Sequence, residues 1–183
     1  RALALKEIAR RVVTEYSGRL PMQAEVLETF PSIGPATASS ICAFAFNAPV
    51  VFIETNIRRV YIHHFFGDQL KVADSELFPL IEKTLNKKNP REWYWSLMDY
   101  GSYLAKQVDN PNKRSKHYSK QSKFEGSPRQ LRGAILRLLS EKKDIQRLEL
   151  NQIFLGKPNL ATILASLAKE GFIVTRGDKI QLK

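Results

Sequence analysis

The chain is short of several things, and each shortage excludes something. Its 183 residues include one cysteine, Cys42, so no internal disulfide and no cysteine-ligated metal cluster can form within it. Cys42 lies among Ile41, Ala43 and Phe44, where a small core thiol is expected. No run of 18 apolar residues occurs, so no stretch reads as a membrane-spanning helix. No signal-peptide pattern is visible. Neighbouring His63 and His64 have no acid or cysteine at metal-ligand spacing and read as packing or surface residues. Acidic residues are also scarce, 18 against 29 Lys and Arg, which gives a net charge of +11. Such a balance points to a polyanionic partner, nucleic acid before membrane. We therefore expect a soluble, cytoplasmic, nucleoid-associated protein of one or two small domains.

What is present centres on Phe30–Arg59. An apolar stretch (Met22, Val26, Leu27, Phe30) runs into the turn Pro31-Ser32-Ile33-Gly34-Pro35. A helix rich in small residues follows at once (Ala36, Thr37, Ala38, Ser39, Ser40, Ala43), and small residues let two helices cross closely. Pro at a first helical position and Gly in the turn suit their places. This is a helix-hairpin-helix. Its use is to aim backbone N–H groups at a phosphate without reading base edges. The apolar run Val50–Ile53 comes next, then a lone carboxylate, Glu54, and then Thr55-Asn56-Ile57-Arg58-Arg59. An acid there suits a helix N-cap, favoured by the dipole. Arg58 and Arg59 read equally as phosphate contacts or as solvated surface charges.

The hairpin followed at this distance by acid-x-Asn-Ile-x-Arg-Val resembles the helix-hairpin-helix DNA glycosylases, nearest the adenine-specific branch beside endonuclease III. The resemblance covers about residues 1–105. The two motifs in order are specific, whereas either alone is weak. It implies that Glu54 stands where the family has a catalytic aspartate, one methylene longer in reach, and that Asn56 hydrogen-bonds near the reacting sugar. Bifunctional members carry a Schiff-base lysine where this chain has Ala36, so a monofunctional glycosylase, at most a weak lyase, is implied. The hairpin (Ser32, Ile33, Gly34, Ala36, Thr37) would grip the backbone of double-stranded DNA. Pro35 lacks one donor, and the turn carbonyls are a candidate place for a monovalent cation. Relatives have a four-cysteine iron–sulfur cluster after this domain; here there is none, and no cofactor is expected. Relatives also have further helices upstream, with a second catalytic acid. A chain that begins at Arg1 with no cap before its first helix is therefore expected to be a fragment.

The rest of the chain fits a mainly α protein: a glycosylase-type helical domain, then a small winged-helix-like α+β module. Helices are expected over residues 3–16, about Thr55–Phe66, from an Asp74 N-cap to about Leu85, and from Pro90 through Trp93, Leu97, Met98, Tyr100 and Leu104. Asp99 reads as a structural hydrogen-bonder. Residues 106–126 read as a basic linker replacing the cluster loop. From Lys106 to Arg147 there are 12 Lys and Arg against four Asp and Glu, interleaved with His117, Tyr118 and Phe124. Lys113, Arg114, Lys116, Lys120 and Lys123 are the candidate backbone contacts. Residues 127–183 predict three helices and a hairpin turning at Gly177. In the third helix Asn159, Thr162, Ser166 and Lys169 would face a groove. With one cation on that face, packing or protein contact is nearly as good a use.

Two functions stay open on the sequence. One is excision of a damaged or mispaired base, with adenine opposite oxidised guanine first among substrates through the resemblance alone. The other is a non-catalytic DNA-binding protein using the hairpin, the basic segment and the winged helix. A third, blander reading makes Glu54 a helix cap and nothing more.

Overall fold

A computed structural model of the chain describes residues 2–183. It divides into two compact units, the first ending at Ser119 and the second spanning Lys120–Lys183. Helix dominates, and the second unit adds a three-stranded antiparallel sheet.

In the first unit, α1 (Ala2–Glu15) lays Ile8, Val12 and Tyr16 against a core of Leu27, Phe30, Ala38 and Cys42. Leu3 and Leu5 stay exposed. The Tyr16 ring meets Phe30 edge-on, and the Arg11 guanidinium lies 4.5 Å above Phe30. The apolar stretch before the turn is helical only over α2 (Ala24–Leu27), a single turn. Then comes α3 (Pro35–Phe46), whose buried residues are all small: Ala38, Cys42 and Ala43. Their size lets α2 and α3 approach. The helix ends at Asn47, φ 55°, a left-handed position that asparagine tolerates. The Asn47 carbonyl Oδ1 accepts from the backbone N–H of Arg91 at 3.0 Å.

Phe52 and Ile53 are buried, and the chain then enters α4 (Thr55–Phe65). That helix is the axis of the unit, packed on α5 (Asp74–Thr84) and most extensively on α6 (Pro90–Gln107). Its buried face carries Ile57, Val60, Tyr61 and Ile62. Phe52 and Tyr94 bring their rings to 4.4 Å, and the Tyr94 hydroxyl donates to the Val50 carbonyl at 2.8 Å. Burial pushes the pKa of that phenol up to about 12. At the α4/α6 crossing Gly101 is required: a Cβ there would lie 2.5 Å from the Asn56 carbonyl oxygen. Asp74, expected as an N-cap, is instead the first helical residue of α5. Ala73 precedes it, with its N–H held by Glu76 at 2.8 Å.

The expected linker over 106–126 needs a correction. Its first fourteen residues, as far as Ser119, belong to the first unit. Helix α6 runs to Gln107, a 3₁₀ turn spans Pro111–Arg114, and Ser115 pairs in parallel with Val72. Pro111, Asn112 and Ser115 are buried. Two asparagines cause this. The Asn110 side chain accepts from the Asn112 N–H at 3.1 Å and caps the turn, while Asn112 Nδ2 donates to the Thr55 carbonyl at 3.0 Å.

In the second unit, α7 (Pro128–Lys142) starts at Ser127, whose hydroxyl accepts from the Gln130 N–H. Then follow β1 (Asp144–Gln146), α8 (Arg147–Ile153), α9 (Leu160–Lys169), β2 (Ile173–Arg176) and β3 (Lys179–Leu182). The strand order is β1-β3-β2, with Ile145 opposite Ile180. Strand β1 is an addition to the expected hairpin, and three residues are too few for an alternating pattern to reveal it. Ile145, Ile173 and Ile180 close the core over Leu131, Ile135, Leu139, Leu150, Leu164 and Leu167.

Candidate active site

The hairpin presents its backbone to solvent. Ser32, Gly34, Pro35, Ala36 and Thr37 are exposed, and Ile33 is half-buried against the hairpin core. The tight bend falls on Ser32, at φ 63°, rather than on glycine. Gly34 has φ −100° and ψ 175°, which any residue adopts, and an added Cβ would meet nothing within 4 Å. Its lack of a side chain therefore serves neither the turn nor the packing. The first turn of a helix has N–H groups without intrahelical partners. Pro35 has none to give, the N–H of Ala38 goes to the Gly34 carbonyl at 2.9 Å, and Ala36 and Thr37 supply the donors between them.

Glu54 caps α4. Its Oε1 accepts from the N–H groups of Asn56 at 2.7 Å and Ile57 at 3.3 Å. Among the described residues, Oε2 accepts no hydrogen bond from the protein, and the side chain is half-buried. One carboxylate oxygen is thus fixed at the positive end of a helix while the other is available. A cleft of about 190 Å³ runs between the start of α3 and the segment that leads into Glu54. It is lined by Pro35, Ala36, Ser39, Val51, Phe52, Ile53, Asp74 and Phe78. The hairpin's first turn and the approach to the acid share this cleft. Ala36, on its wall, offers a methyl group and no amine.

Asn56 is held from behind. Its Oδ1 accepts from Arg59 Nη1 at 2.6 Å, and the same nitrogen donates to the Gly101 carbonyl at 2.7 Å. Arg59 Nε reaches Asn110 Oδ1 at 3.4 Å. Among the described residues the side-chain amide N–H groups of Asn56 donate to no acceptor.

Both arginines, read equally as phosphate contacts or as solvated charges, have partners within the protein. Arg59 is 8% exposed and its guanidinium binds the interior acceptors just described. Arg58 makes a bidentate pair with Asp74, Nε to Oδ1 at 2.8 Å and Nη2 to Oδ2 at 2.7 Å. That guanidinium holds the Asp74 carboxyl below its ordinary range. The cause is helical geometry: α4 packs against α5 and α6, and each arginine near its start finds an acceptor there. In the basic segment Lys113 pairs with Asp109 at 2.7 Å, and Arg114 turns partly inward to the Ile62 carbonyl at 3.4 Å. Lys116, Lys120 and Lys123 are exposed. Asp99 is exposed too, and among the described residues its side chain makes no hydrogen bond. Sequence reasoning missed Asn110 and Asn112. The Asn-Pro-Asn string was the available signal, since Asn-Pro favours a turn.

The resemblance to cluster-bearing glycosylases can be tested on the donor set. After α6 the chain supplies Asp109, Asn110, Asn112, Lys113 and Arg114, with no thiol. Cys42 is buried in α3, donates to the Met22 carbonyl at 3.1 Å, and has its pKa raised by burial. These residues do not fit a cysteine-ligated cluster. Among the described residues, no group of three or more His, Cys, Asp or Glu is placed to hold a metal, and no helix is long and apolar enough to cross a membrane.

No family model matches the chain. Individual relatives do. A thymine/uracil-DNA glycosylase of Methanothermobacter thermautotrophicus is 28% identical over 107 residues, covering 57% of this chain and 48% of the relative. Endonuclease III of Bacillus subtilis is 28% identical over 114 residues, with 58% and 48% covered. An adenine DNA glycosylase of Mycolicibacterium smegmatis is 24% identical over 196 aligned positions, with 97% and 67% covered. The chain thus spans about half the length of two of these relatives and two thirds of the third. A hairpin with exposed backbone donors, an acid capping the next long helix and three such relatives agree: the chain is similar to the DNA glycosylases and endonuclease III of the helix-hairpin-helix superfamily.

Proposed function

We propose that this chain carries the DNA-gripping and sugar-facing residues of a base-excision glycosylase, monofunctional, acting on duplex DNA, with adenine opposite oxidised guanine as its substrate. The carrying observation is the split use of the Glu54 carboxylate, Oε1 fixed by two amides and Oε2 available. Relatives named for adenine and for thymine and uracil support the reaction class, and the adenine-named one aligns along most of this chain.

In this reading the N–H groups of the hairpin hold a phosphate beside the lesion, and the target nucleotide is extruded from the stack. As the glycosidic bond lengthens, its electron pair stays with the base and positive charge develops at C1′ of the sugar. The Glu54 carboxylate, half-buried and already oriented, stabilises that charge, a contribution of several kcal/mol in a water-poor site. A water then adds at C1′ and gives up a proton to Oε2. Asn56 donates its free amide N–H groups to the sugar or its phosphate. Ala36 provides no amine for a Schiff base, which supports simple hydrolysis over strand cleavage. Lys116, Lys120 and Lys123 add sequence-independent contact. The second unit has the element order of a winged helix. On α9, Ser166 is tied to Glu170 at 2.6 Å, and Glu170 is ion-paired to Arg132 at 2.8 Å. A paired acid at the end of that helix favours packing over groove reading for this module.

The test is excision on a duplex carrying adenine opposite 8-oxoguanine, scored as alkali-labile breaks, with thymine opposite guanine and uracil opposite guanine in parallel. Wild type should break the strand at the adenine. Glu54→Gln should abolish breaks and keep duplex affinity. Binding without breaks on any of the three duplexes would favour the non-catalytic DNA-binding protein. Equal excision by wild type and Glu54→Gln would reduce Glu54 to a cap.

A further inference from the structure

We infer that Asp109–Lys116 is a hydrogen-bonded brace, and that Asn112 is a positioning residue for the Glu54 and Asn56 pair. This rests on the reading of those two residues given above. The bonds converge on one place. Asn112 is 5% exposed, and its Nδ2 donates to the carbonyl of Thr55, the residue between Glu54 and Asn56. Asn110 uses one oxygen twice: Oδ1 accepts from the Asn112 N–H at 3.1 Å and lies 3.4 Å from Arg59 Nε. Arg59 in turn holds the Asn56 side chain and ties it to the Gly101 carbonyl on α6. The start of α4 is therefore gripped on its backbone by Asn112 and on a side chain by the Asn110–Arg59 pair.

The brace is fastened at its other end as well. The Val72 N–H donates to the Arg114 carbonyl at 2.9 Å, and the Lys116 N–H donates to the Val72 carbonyl at 2.8 Å. Val72 itself is fully buried. Lys113 and Asp109 close the turn on its outer side at 2.7 Å. Loops seldom bury asparagine, because an unpaired amide in the interior is costly. Among the described residues Asn112 Oδ1 has no partner, while Nδ2 is engaged. Burial with one end unsatisfied makes sense when the donor end is what the site requires. No thiol lies in this segment, and hydrogen bonds hold it against α4.

The experiment uses the full chain and three readouts: hydrogen exchange at the Asn56 and Ile57 amides that Glu54 caps, single-turnover excision on the duplex that wild type cleaves, and affinity for that duplex. Asn112→Ala should raise exchange at those two amides at least about tenfold and slow excision about tenfold or more, since small misplacement of a reacting group is costly. Affinity should change less than about twofold, because the hairpin that grips DNA is a separate element. Asn110→Ala, which loosens Arg59 and leaves the Thr55 bond, should give the same pattern in weaker form and serves if Asn112→Ala does not fold. Unchanged amide protection in both variants overturns the brace. Lost protection with an unchanged excision rate overturns the positioning role. A parallel fall in rate and affinity also overturns it, by making Asn112 a determinant of DNA binding and not of positioning. If wild type excises none of the three bases, the proposed function fails, and the exchange readout alone then decides whether the brace holds the start of α4.

Discussion

Replacing Gly34 by alanine separates what the hairpin does for the fold from what it does for a ligand. At φ −100° alanine is unstrained, and its Cβ would meet no atom within 4 Å. Restricting the unfolded chain stabilises by about 0.4–1 kcal/mol. Against this, Gly34 is the N-cap of α3, where alanine is worse than glycine by roughly 0.5–1 kcal/mol. The two nearly cancel. Thermal unfolding should move by less than about 3 °C, taking about 4–8 °C per kcal/mol for a domain near 100 residues. Binding is different in the proposed reading, because a methyl on this exposed turn takes up space where a phosphate would approach. Loss of one hydrogen bond to a charged group is about 1.5–3 kcal/mol, or roughly a 10- to 100-fold weaker Kd. Anisotropy with a labelled duplex reads the affinity, and calorimetry reads the stability. Gly101→Ala is the internal control. Its Cβ would press on Asn56, so it should cost about 1–3 kcal/mol by overpacking. Unchanged affinity in Gly34→Ala would refute the phosphate grip, and a loss of stability near that of Gly101→Ala would refute the view that this glycine is spare to the fold.

Three further outcomes follow from the same geometry. Glu54→Gln keeps an oxygen for the Asn56 and Ile57 amides and loses the charge at the helix start. Urea unfolding should therefore show a loss of no more than about 1 kcal/mol, whatever happens to excision. Replacing Lys116, Lys120 and Lys123 together by alanine should weaken duplex binding and shallow the plot of log affinity against log salt by about 0.9 for each phosphate no longer neutralised; an unchanged slope would remove them from the interface. Arg58 lowers the pKa of Asp74 in the folded state, so the stability from this pair is present above the unfolded value of about 3.9 and is lost as pH falls through the lower folded value. Asp74→Asn should therefore be less stable than wild type at pH 7, with the gap closing below about pH 4; a gap independent of pH would count against the pair.

Much of the helical order was legible because it rests on local rules. Pro35, Pro90 and Pro128 each open a helix in the structure, as proline at a first helical position should. The motif around Glu54 was legible because it is contiguous. What could not be read depends on partners far along the chain. The bend at Ser32 was hidden by the nearby glycine, the more permissive residue. Asn110 and Asn112 reach across more than 50 positions to Arg59 and Thr55, and composition registers only the lysines around them. Net charge likewise counts side chains without their partners. Arg58, Lys113 and Arg132 are already ion-paired and Arg59 is buried, so part of the positive charge is spoken for within the protein before any DNA arrives.

The acid itself shows why a capping role and a chemical role need not compete. A carboxylate on a flexible side chain spends most of its reaction advantage if it must be ordered in the transition state. Capping orders it beforehand. The bond from Asn56 N–H at 2.7 Å fixes Oε1 and so sets the direction of Oε2. Glutamate has one more rotatable bond than aspartate, so its need for such fixing is greater. The brace from Asn112 to Thr55 then immobilises the peptide between the two residues that would touch the sugar. Hence Glu54→Asp, with the same charge and a shorter stem, should retain duplex affinity and excise more slowly unless its oxygen reaches the same amides. Exchange protection at Asn56 and Ile57 in that variant should track its excision rate. A fully active aspartate variant with unprotected amides would show that reach, not ordering by the cap, governs the chemistry.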